Sequence, residues 1–314
     1  MEQLEGFKVP GQEHKVCLLI KALYGLKQAR LVWWRMLDKF MKSLGFTRLK
    51  SDAGVFYKYD DRDIIIIIIY VDDMIFSGPN KAKALKAKAE FMKKWDCRDL
   101  GELIKFLCMS IERHGRQLHI HQCTYLDKVL QCANSSDEHL QKVLYICRYL
   151  QGTREYQLVF DGATQQGLAA YTDVDWAGEA FSWSLRTQKT VAHSIMESEY
   201  MALSDCSRQV VWVQQLLNEL RLPLKPTPIS VDNQSAIFTM TNPIMERRSK
   251  HIDIHYHYIR KVIKCNEVEI FHIAGEENLA DIFTKNFSYV KHHKFCEAIG
   301  LCFAAKSARS GLRI

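Results

Sequence analysis

Six consecutive isoleucines, Ile64 to Ile69, lead directly into Tyr70-Val71-Asp72-Asp73. β-Branched side chains lose rotamer freedom in a helix and pack well on a pleated surface, so this run predicts a strand. It is far too short for a bilayer, which takes about 20 apolar residues. Asp60-Asp61-Arg62-Asp63 turns the chain before it, and the acidic pair turns the chain after it. With Asp52 to Lys58 on one side and Met74 to Ser77 on the other, ahead of Gly78-Pro79-Asn80, the segment reads as a three-stranded meander. An apolar strand thus drives two adjacent carboxylates into its turn. They repel each other, and in a flat strand they would point to opposite faces. A divalent cation relieves such charge: Mg²⁺ takes carboxylate oxygens together with substrate phosphates, and paired ions promote phosphoryl transfer. A solvated hairpin tip accommodates Asp-Asp just as readily. Chemistry alone leaves both readings open.

The remaining elements follow from periodicity and punctuation. Leu31 to Leu44 carries apolar residues at helical spacing, and Gly45 stops it. Lys81 to Trp95 predicts a helix with a very basic face, and Ile104 to Glu112 with Gln117 to His121 predicts a hairpin around His114-Gly115. Helices are expected over Thr124 to Gln131 and Asp137 to Leu150, and short strands over Gln157 to Phe160 and Leu168 to Thr172. Phe181 to His193 reads as a further strand and Ser194 to Leu220 as one long helix. Past Pro223, Pro226 and Pro228 come a buried strand at Ile229 to Val231, helices over Asn233 to Thr241 and Lys250 to Ile263, a strand over Val268 to Ile273, and a final helix starting at Leu279 to Lys285. Strands first, then strands alternating with helices, imply α/β structure around a mixed sheet in the second half.

The 314 residues are enough for two domains with cores of their own, and 47% hydrophobic residues exclude overall disorder. The net charge of +7 is compatible with a polyanionic partner. Ten cysteines without a C-x-x-C pair read as reduced thiols rather than a disulfide scaffold. The N-terminus lacks the pattern of a signal peptide. A cytoplasmic or nuclear protein, not a secreted one, is expected.

Four acids stand out after residue 165: Asp173 in Tyr171-Thr-Asp-Val-Asp-Trp-Ala-Gly178, Glu199 in Glu197-Ser-Glu-Tyr-Met-Ala-Leu203, Asp232 in Asp232-Asn-Gln-Ser-Ala236, and Asp281 in Asn278-Leu-Ala-Asp281. Two strand-end aspartates, a helix glutamate and a terminal-helix aspartate can converge on one metal pair, and such a cluster activates water to cleave a phosphodiester. Singly, each has a plainer reading: Asp232 as a helix cap, Glu199 on a solvated face. His251 and His255 share a helix face at i, i+4. No acid or cysteine supports them at metal-ligand spacing, so a core or nucleic-acid-facing role is the better reading.

The ordered motifs of the first 130 residues resemble copia-type retrotransposon reverse transcriptases. They are Met1-Glu-Gln-Leu-Glu-Gly-Phe7, Lys21-Ala-Leu-Tyr-Gly-Leu-Lys-Gln-Ala29, Tyr70-Val-Asp-Asp-Met-Ile-Phe76, and Asp99-Leu-Gly-Glu-Leu103 with Phe106-Leu107. The resemblance implies that Asp72 and Asp73 are palm metal ligands, and that Tyr70, Gly25, Lys27 and Gln28 contact nucleic acid. From about residue 135 to 303 the chain resembles the ribonuclease H region of the same polyprotein. There Arg148-Tyr-Leu-Gln-Gly-Thr153 and Lys250-His-Ile-Asp-Ile254 also match. This implies metal-ligand and catalytic roles for Asp173, Glu199, Asp232 and Asp281, with Mg²⁺ as cofactor and an RNA–DNA hybrid or single-stranded nucleic acid as partner. His272 is at best a loose counterpart of the mobile histidine of cellular relatives. The expected architecture is an α+β polymerase palm and fingers fragment over 1–130, a shortened connection over 131–165, an α/β ribonuclease H-like domain with a mixed sheet over 166–303, and a tail over 304–314.

The family pattern also implies losses. Its first palm carboxylate belongs ahead of Met1, and Arg30 stands where the family usually has proline. A long connecting region is expected to be missing around Gln131 to Ser136, and a strand between Glu179 and Phe181. A short link joins strands only as an antiparallel hairpin. The long helix is therefore expected at the wrong end of the second sheet, with Glu199 apart from the other acids and both activities degraded. A non-catalytic nucleic-acid-binding remnant or an inert relic is the alternative.

Overall fold

The computed structural model describes residues 2–23, 25–132, 140–160, 168–172, 177–178, 194–222, 226–241 and 253–303. The chain divides into two compact units, residues 1–97 and 98–314.

In the first unit, α1 (Ala29–Ser43) leads through Gly45, in the left-handed region at φ +82°, into β1 (Thr47–Arg48). The meander follows as β2 (Val55–Asp60), β3 (Asp63–Tyr70) and β4 (Asp73–Ser77), antiparallel throughout in the order β1-β2-β3-β4. Ile65, Ile67 and Ile69 are buried, whereas Ile64, Ile66 and Ile68 on the other face are only half-buried. The buried face meets Leu37 and Met41 of α1 and Phe91 of α2 (Lys81–Lys94), with Phe46 and Phe56. Gly54 and Gly78 allow the chain to pass close to β3. A Cβ at either would lie 2.8 Å or 2.7 Å from the backbone oxygens of Ile69 and Ile64.

Helix α2 is anchored at both ends of its first turn. Asn80 Oδ1 accepts from the Ala82 and Lys83 N–H groups at 3.1 and 3.3 Å, and its Nδ2 donates to Asp63. Lys83 reaches back to Asp60, Asp61 and Asp63 at the β2–β3 turn, and the hydrogen bond to Asp63 is the main reason its ammonium is held above its ordinary pKa. Asn80→Ala is expected to destabilise the first unit by about 1 kcal/mol, read as faster amide exchange across α2 with β2–β4 less affected. Unchanged protection in α2 would mean that the cap contributes nothing.

Among the described residues the second unit holds two sheets. One is the antiparallel array β13-β8-β7-β6-β5, formed by β5 (Lys105–Phe106), β6 (Met109–His114), β7 (Gln117–His121), β8 (Tyr156–Phe160) and β13 (Leu301–Phe303). Between β7 and β8 lie α3 (Cys123–Cys132) and α4 (Leu140–Gly152). Arg154 after α4 forks onto Asp127 of α3, with Nε 2.6 Å from Oδ1 and Nη2 2.9 Å from Oδ2. The other sheet is mixed, in the order β10-β9-β11-β12, from β9 (Ala170–Thr172), β10 (Ala177–Gly178), β11 (Thr227–Val231) and β12 (Val268–His272). β9, β11 and β12 run parallel, and β10 is antiparallel to β9. Helix α5 (Ile195–Glu219) packs Tyr200, Leu203, Cys206 and Val210 against Ala170, Ile229 and Val231. α6 (Gln234–Thr241) contributes Ala236 and Met240, and α7 (Asp253–Lys264) contributes Ile259 and Val262, to the same core.

The boundaries depart from expectation in a few places. The strand expected over Ile104 to Glu112 is cut by Leu107 and Cys108, both at positive φ, which makes β5 and β6 a hairpin. Leu279–Phe283 is a short 3-10 turn, and the last helix among the described residues is α8 (Tyr289–Ala298). The strand expected over Phe181 to His193, and Asp173 with Asp175, lie outside the described residues. Among the described residues no helix is long and apolar enough to cross a membrane.

Candidate functional site

The β3–β4 hairpin carries the first candidate set. Tyr70 pairs with Asp73, so Val71 and Asp72 form the tip. Val71 has φ +53°, the left-handed conformation that tight hairpin turns require at their first central position. For a β-branched residue this is strained by about 1–3 kcal/mol. The apolar register of β3 fixes the tip and overrides the local preference of valine. Tyr70, Val71, Asp72 and Asp73 are all exposed. Gly25 (φ +93°), Lys27 and Gln28 are exposed ahead of α1, and Gln28 sits at its N-cap position without capping it.

Of the second set, Asp232 and Asp281 lie near the carboxyl ends of strands of the mixed sheet. Asp232 directly follows β11. Asn233 caps α6, its Oδ1 accepting from Ala236 N at 3.1 Å, so capping is not the task of Asp232. Gly275, just past β12, lies beside Asp232: a Cβ there would stand 3.4 Å from Oδ2. Asn278 is fully buried, donates to the Thr172 carbonyl at the end of β9 at 2.9 Å, and accepts from Ala280 N at 3.1 Å. The same 3-10 turn presents Asp281, 2% exposed, with Lys285 Nζ 2.8 Å from its Oδ1. Glu199 on α5 is 4% exposed and not on a solvated face.

The direction of α5 is opposite to that expected from a shortened link. Gln214 Nε2 donates to Thr227 Oγ1 at 2.8 Å and to the Glu267 carbonyl at 2.6 Å. Both lie at the amino ends of β11 and β12. Glu199 is fifteen residues earlier, about 22 Å along the helix. Packed along β9, the helix carries Glu199 toward the carboxyl ends of the strands, where Asp232 and Asp281 sit. Asp173 follows Thr172 in the sequence but lies outside the described residues. Among the described residues no three His, Cys, Asp or Glu side chains are grouped closely enough to hold an ion.

One polar cluster went unread in the sequence. Glu112, His114 and His121 share a face of the β6–β7 hairpin, with Glu112 3.2 Å from His114 Nε2 and 3.3 Å from His121 Nε2. The His114 hydrogen bond, chiefly, holds the Glu112 carboxyl below its ordinary range. Alternation at H-x-x-x-x-H-x-H spacing across a turn was the available signal. Elsewhere, Cys296 lies beside His292, but burial pushes its thiol up to about 11, which removes it as a thiolate nucleophile.

Comparison with known proteins bears on the family. Residues 1–145 match the family model described as reverse transcriptase (RNA-dependent DNA polymerase). The retrovirus-related Pol polyprotein from transposon TNT 1-94 of Nicotiana tabacum is 31% identical over 96% of the chain and 29% of its own length. The chain is a copia-type retrotransposon Pol fragment. The Pol polyprotein from transposon RE1 of Arabidopsis thaliana is 27% identical over 96% of the fragment and 26% of its own length. A putative transposon Ty5-1 protein of Saccharomyces cerevisiae is 31% identical over 36% of the fragment and 37% of its own length. The Pol fragment therefore spans under a third of the two plant polyproteins. Its alignment with the tobacco polyprotein runs over 389 positions against the fragment's 314 residues, so that relative carries segments without a counterpart here. No solved structure matches the fragment.

Proposed function

We propose that the second unit of this Pol fragment is a ribonuclease H-like module that cleaves RNA in RNA–DNA hybrids with Mg²⁺, and that the first unit binds nucleic acid without polymerising. One observation carries the reading. Asp232, Asp281 and the helix glutamate Glu199 lie toward the same carboxyl end of parallel strands, two of them buried. Burying carboxylates is costly unless cations compensate them. Hard oxygen donors at the end of β11, on the first turns of α5 and after β12 suit magnesium in kind. Asp173, placed by sequence directly after β9, completes the proposed donor set.

Bound magnesium would supply an activated water and a counter-charge for the phosphate. The chain's own contributions are positional. Asn278 ties the Asp281 turn to β9, Asn233 leaves Asp232 at the strand end, and Gln214 sets the direction of α5. The hairpin tip is a weaker donor set. Asp72 and Asp73 are exposed, without the burial that Asp281 and Glu199 show. The helix α2 offers a basic surface for a phosphate backbone, with Lys81, Lys86, Lys93 and Lys94 exposed and Lys83 tied down by its aspartates. Cytoplasm or nucleus is the proposed compartment, where nucleic-acid partners occur.

Mg²⁺-dependent cleavage of a labelled RNA–DNA hybrid by the full chain, lost in Asp232→Asn, is the expected result. Hybrid binding that weakens with salt but shows no Mg²⁺-dependent cleavage would replace this reading with a non-catalytic binding remnant. Absence of both would leave an inert relic.

A further inference from the structure

We propose that β4 is a self-association edge, through which two copies of the chain join as an antiparallel strand pair centred on Ile75. The inference goes beyond the ribonuclease reading and does not depend on it. The sheet of the first unit ends on β1 at one side and on β4 at the other. β1 is two residues long and carries Arg48, which is the guarded kind of edge. β4 runs over Asp73-Met-Ile-Phe-Ser77 in unbroken register with β3. It has no bulge, no proline and no charge between its end residues. An apolar edge of this kind is a template for another strand.

Hydrogen-bond parity decides which groups face outward. The Ile69 N–H donates to the Gly54 carbonyl at 2.8 Å, on the side away from β4. Ile69 and Met74 are therefore a non-hydrogen-bonded pair, and so are Ile67 and Phe76 two residues on. The N–H and C=O groups of Met74 and Phe76 thus point outward from the sheet edge. Among the described residues no backbone hydrogen bond reaches them. A second β4 matches these groups directly. Met74 pairs with the partner's Phe76 and Phe76 with the partner's Met74, and Ile75 meets the partner's Ile75 at the two-fold axis.

Charge selects this register and the second copy as occupant. Asp73 stands opposite the partner's Ser77, so no acid meets an acid. The two Asp73 residues are four positions apart along the pair, about 13 Å. That exceeds the screening length of about 8–10 Å. Centring the pair on Met74 would halve the separation and set the acidic tips against each other. The two-fold axis is normal to the sheet, so like faces stay together. Ile75 of both copies extends the half-buried face of Ile64, Ile66 and Ile68, while Met74 and Phe76 stay against the core. The paired edges are short beside a standard interface of about 1,200–2,000 Å². The dimer is accordingly weak and concentration-dependent.

Sedimentation equilibrium of the nuclease-treated full chain, over a concentration series, is expected to show monomer and dimer in exchange. Ser77 is exposed, so substituting it reads the pairing without touching the core. Ser77→Lys makes two opposite-charge pairs with Asp73 across the axis and should tighten the dimer about 3-fold. Ser77→Asp makes two like-charge pairs and should loosen it about 3-fold. Ile75→Cys should become disulfide-linked to its own position on oxidation, read by peptide mass, because a non-hydrogen-bonded pair holds its Cα atoms about 4.5 Å apart. A monomer at every concentration overturns the proposal. A dimer indifferent to both Ser77 variants, or one that forms no link at position 75, also overturns it, since another surface then holds the copies together.

Discussion

Ile67→Ala should destabilise the first unit by about 2–5 kcal/mol, while Ile66→Ala in the same strand should cost only about 1 kcal/mol. Ile67 is 1% exposed in the cluster of Leu37, Met41, Phe56 and Phe91. Its truncation leaves a cavity between β3 and the two helices that cover it. Ile66 lies on the opposite, half-buried face, where neighbours and water can close over the gap. The transition is followed through tryptophan emission, because Trp34 and Trp95 pack on the same core and Trp34 lies 5.9 Å from Phe56 between ring centroids. A loss of 2–5 kcal/mol amounts to much of the stability of a unit this size. Equal losses at the two positions would mean that both faces of β3 are covered alike, contrary to the observed burial.

That contrast also marks what the isoleucine run did and did not disclose. β-Branched residues declare a strand, but six identical ones carry no alternation, so the buried face is chosen elsewhere. The choice belongs to Leu37 and Met41 of α1 and Phe91 of α2, which set the parity at Ile65, Ile67 and Ile69. The helices themselves were legible because their apolar spacing and stop signals are local. Leu107 and Cys108 were not legible as a turn, since neither is a residue that favours positive φ. Nor was β13, a strand of three residues that pairs with β8 from far along the chain. Pairings that long are invisible to periodicity.

The acids were legible as a set, and their surroundings only in part. Sequence placed Asp232 at the end of a strand and left open whether it capped the next helix. The structure assigns the cap to Asn233. The helix direction expected from a shortened link is not the one observed, while the strand meant to carry it, Phe181 to His193, lies outside the described residues. β10, two residues long, pairs antiparallel with β9 through Ala177 and Tyr171. The helix that follows is set by its own contacts at Gln214, which no local pattern reported. The alignment to the tobacco relative is longer than the fragment and so contains gaps. Such gaps do not by themselves reverse an element whose core residues, Tyr200, Leu203 and Cys206, still face the sheet.

Asn278→Ala is expected to cost the second unit about 2–4 kcal/mol, because it removes a hydrogen bond from each of two buried backbone groups at about 1–3 kcal/mol each, with some recovery by relaxation. The side chain is 0% exposed and serves both groups at once: its Nδ2 reaches the Thr172 carbonyl, and its Oδ1 takes the Ala280 N–H. No apolar replacement serves either. Asn278→Asp separates the two functions, since a carboxylate still accepts from Ala280 but cannot donate to Thr172 and brings its charge against a carbonyl oxygen. It should therefore destabilise the unit at least as much as alanine at neutral pH, and less on acidification, where a protonated carboxyl can donate again. Urea unfolding followed through Trp212 of α5 and amide exchange at Ala280 and Asp281 read the two effects separately. The exchange result bears on function as well as stability. If the link to β9 is what holds Asp281 in place, its turn should open ahead of the sheet in both variants. If protection of Asp281 persists while global stability falls, its position is set by the Lys285 pair and its own burial instead, and Asn278 supports only the fold.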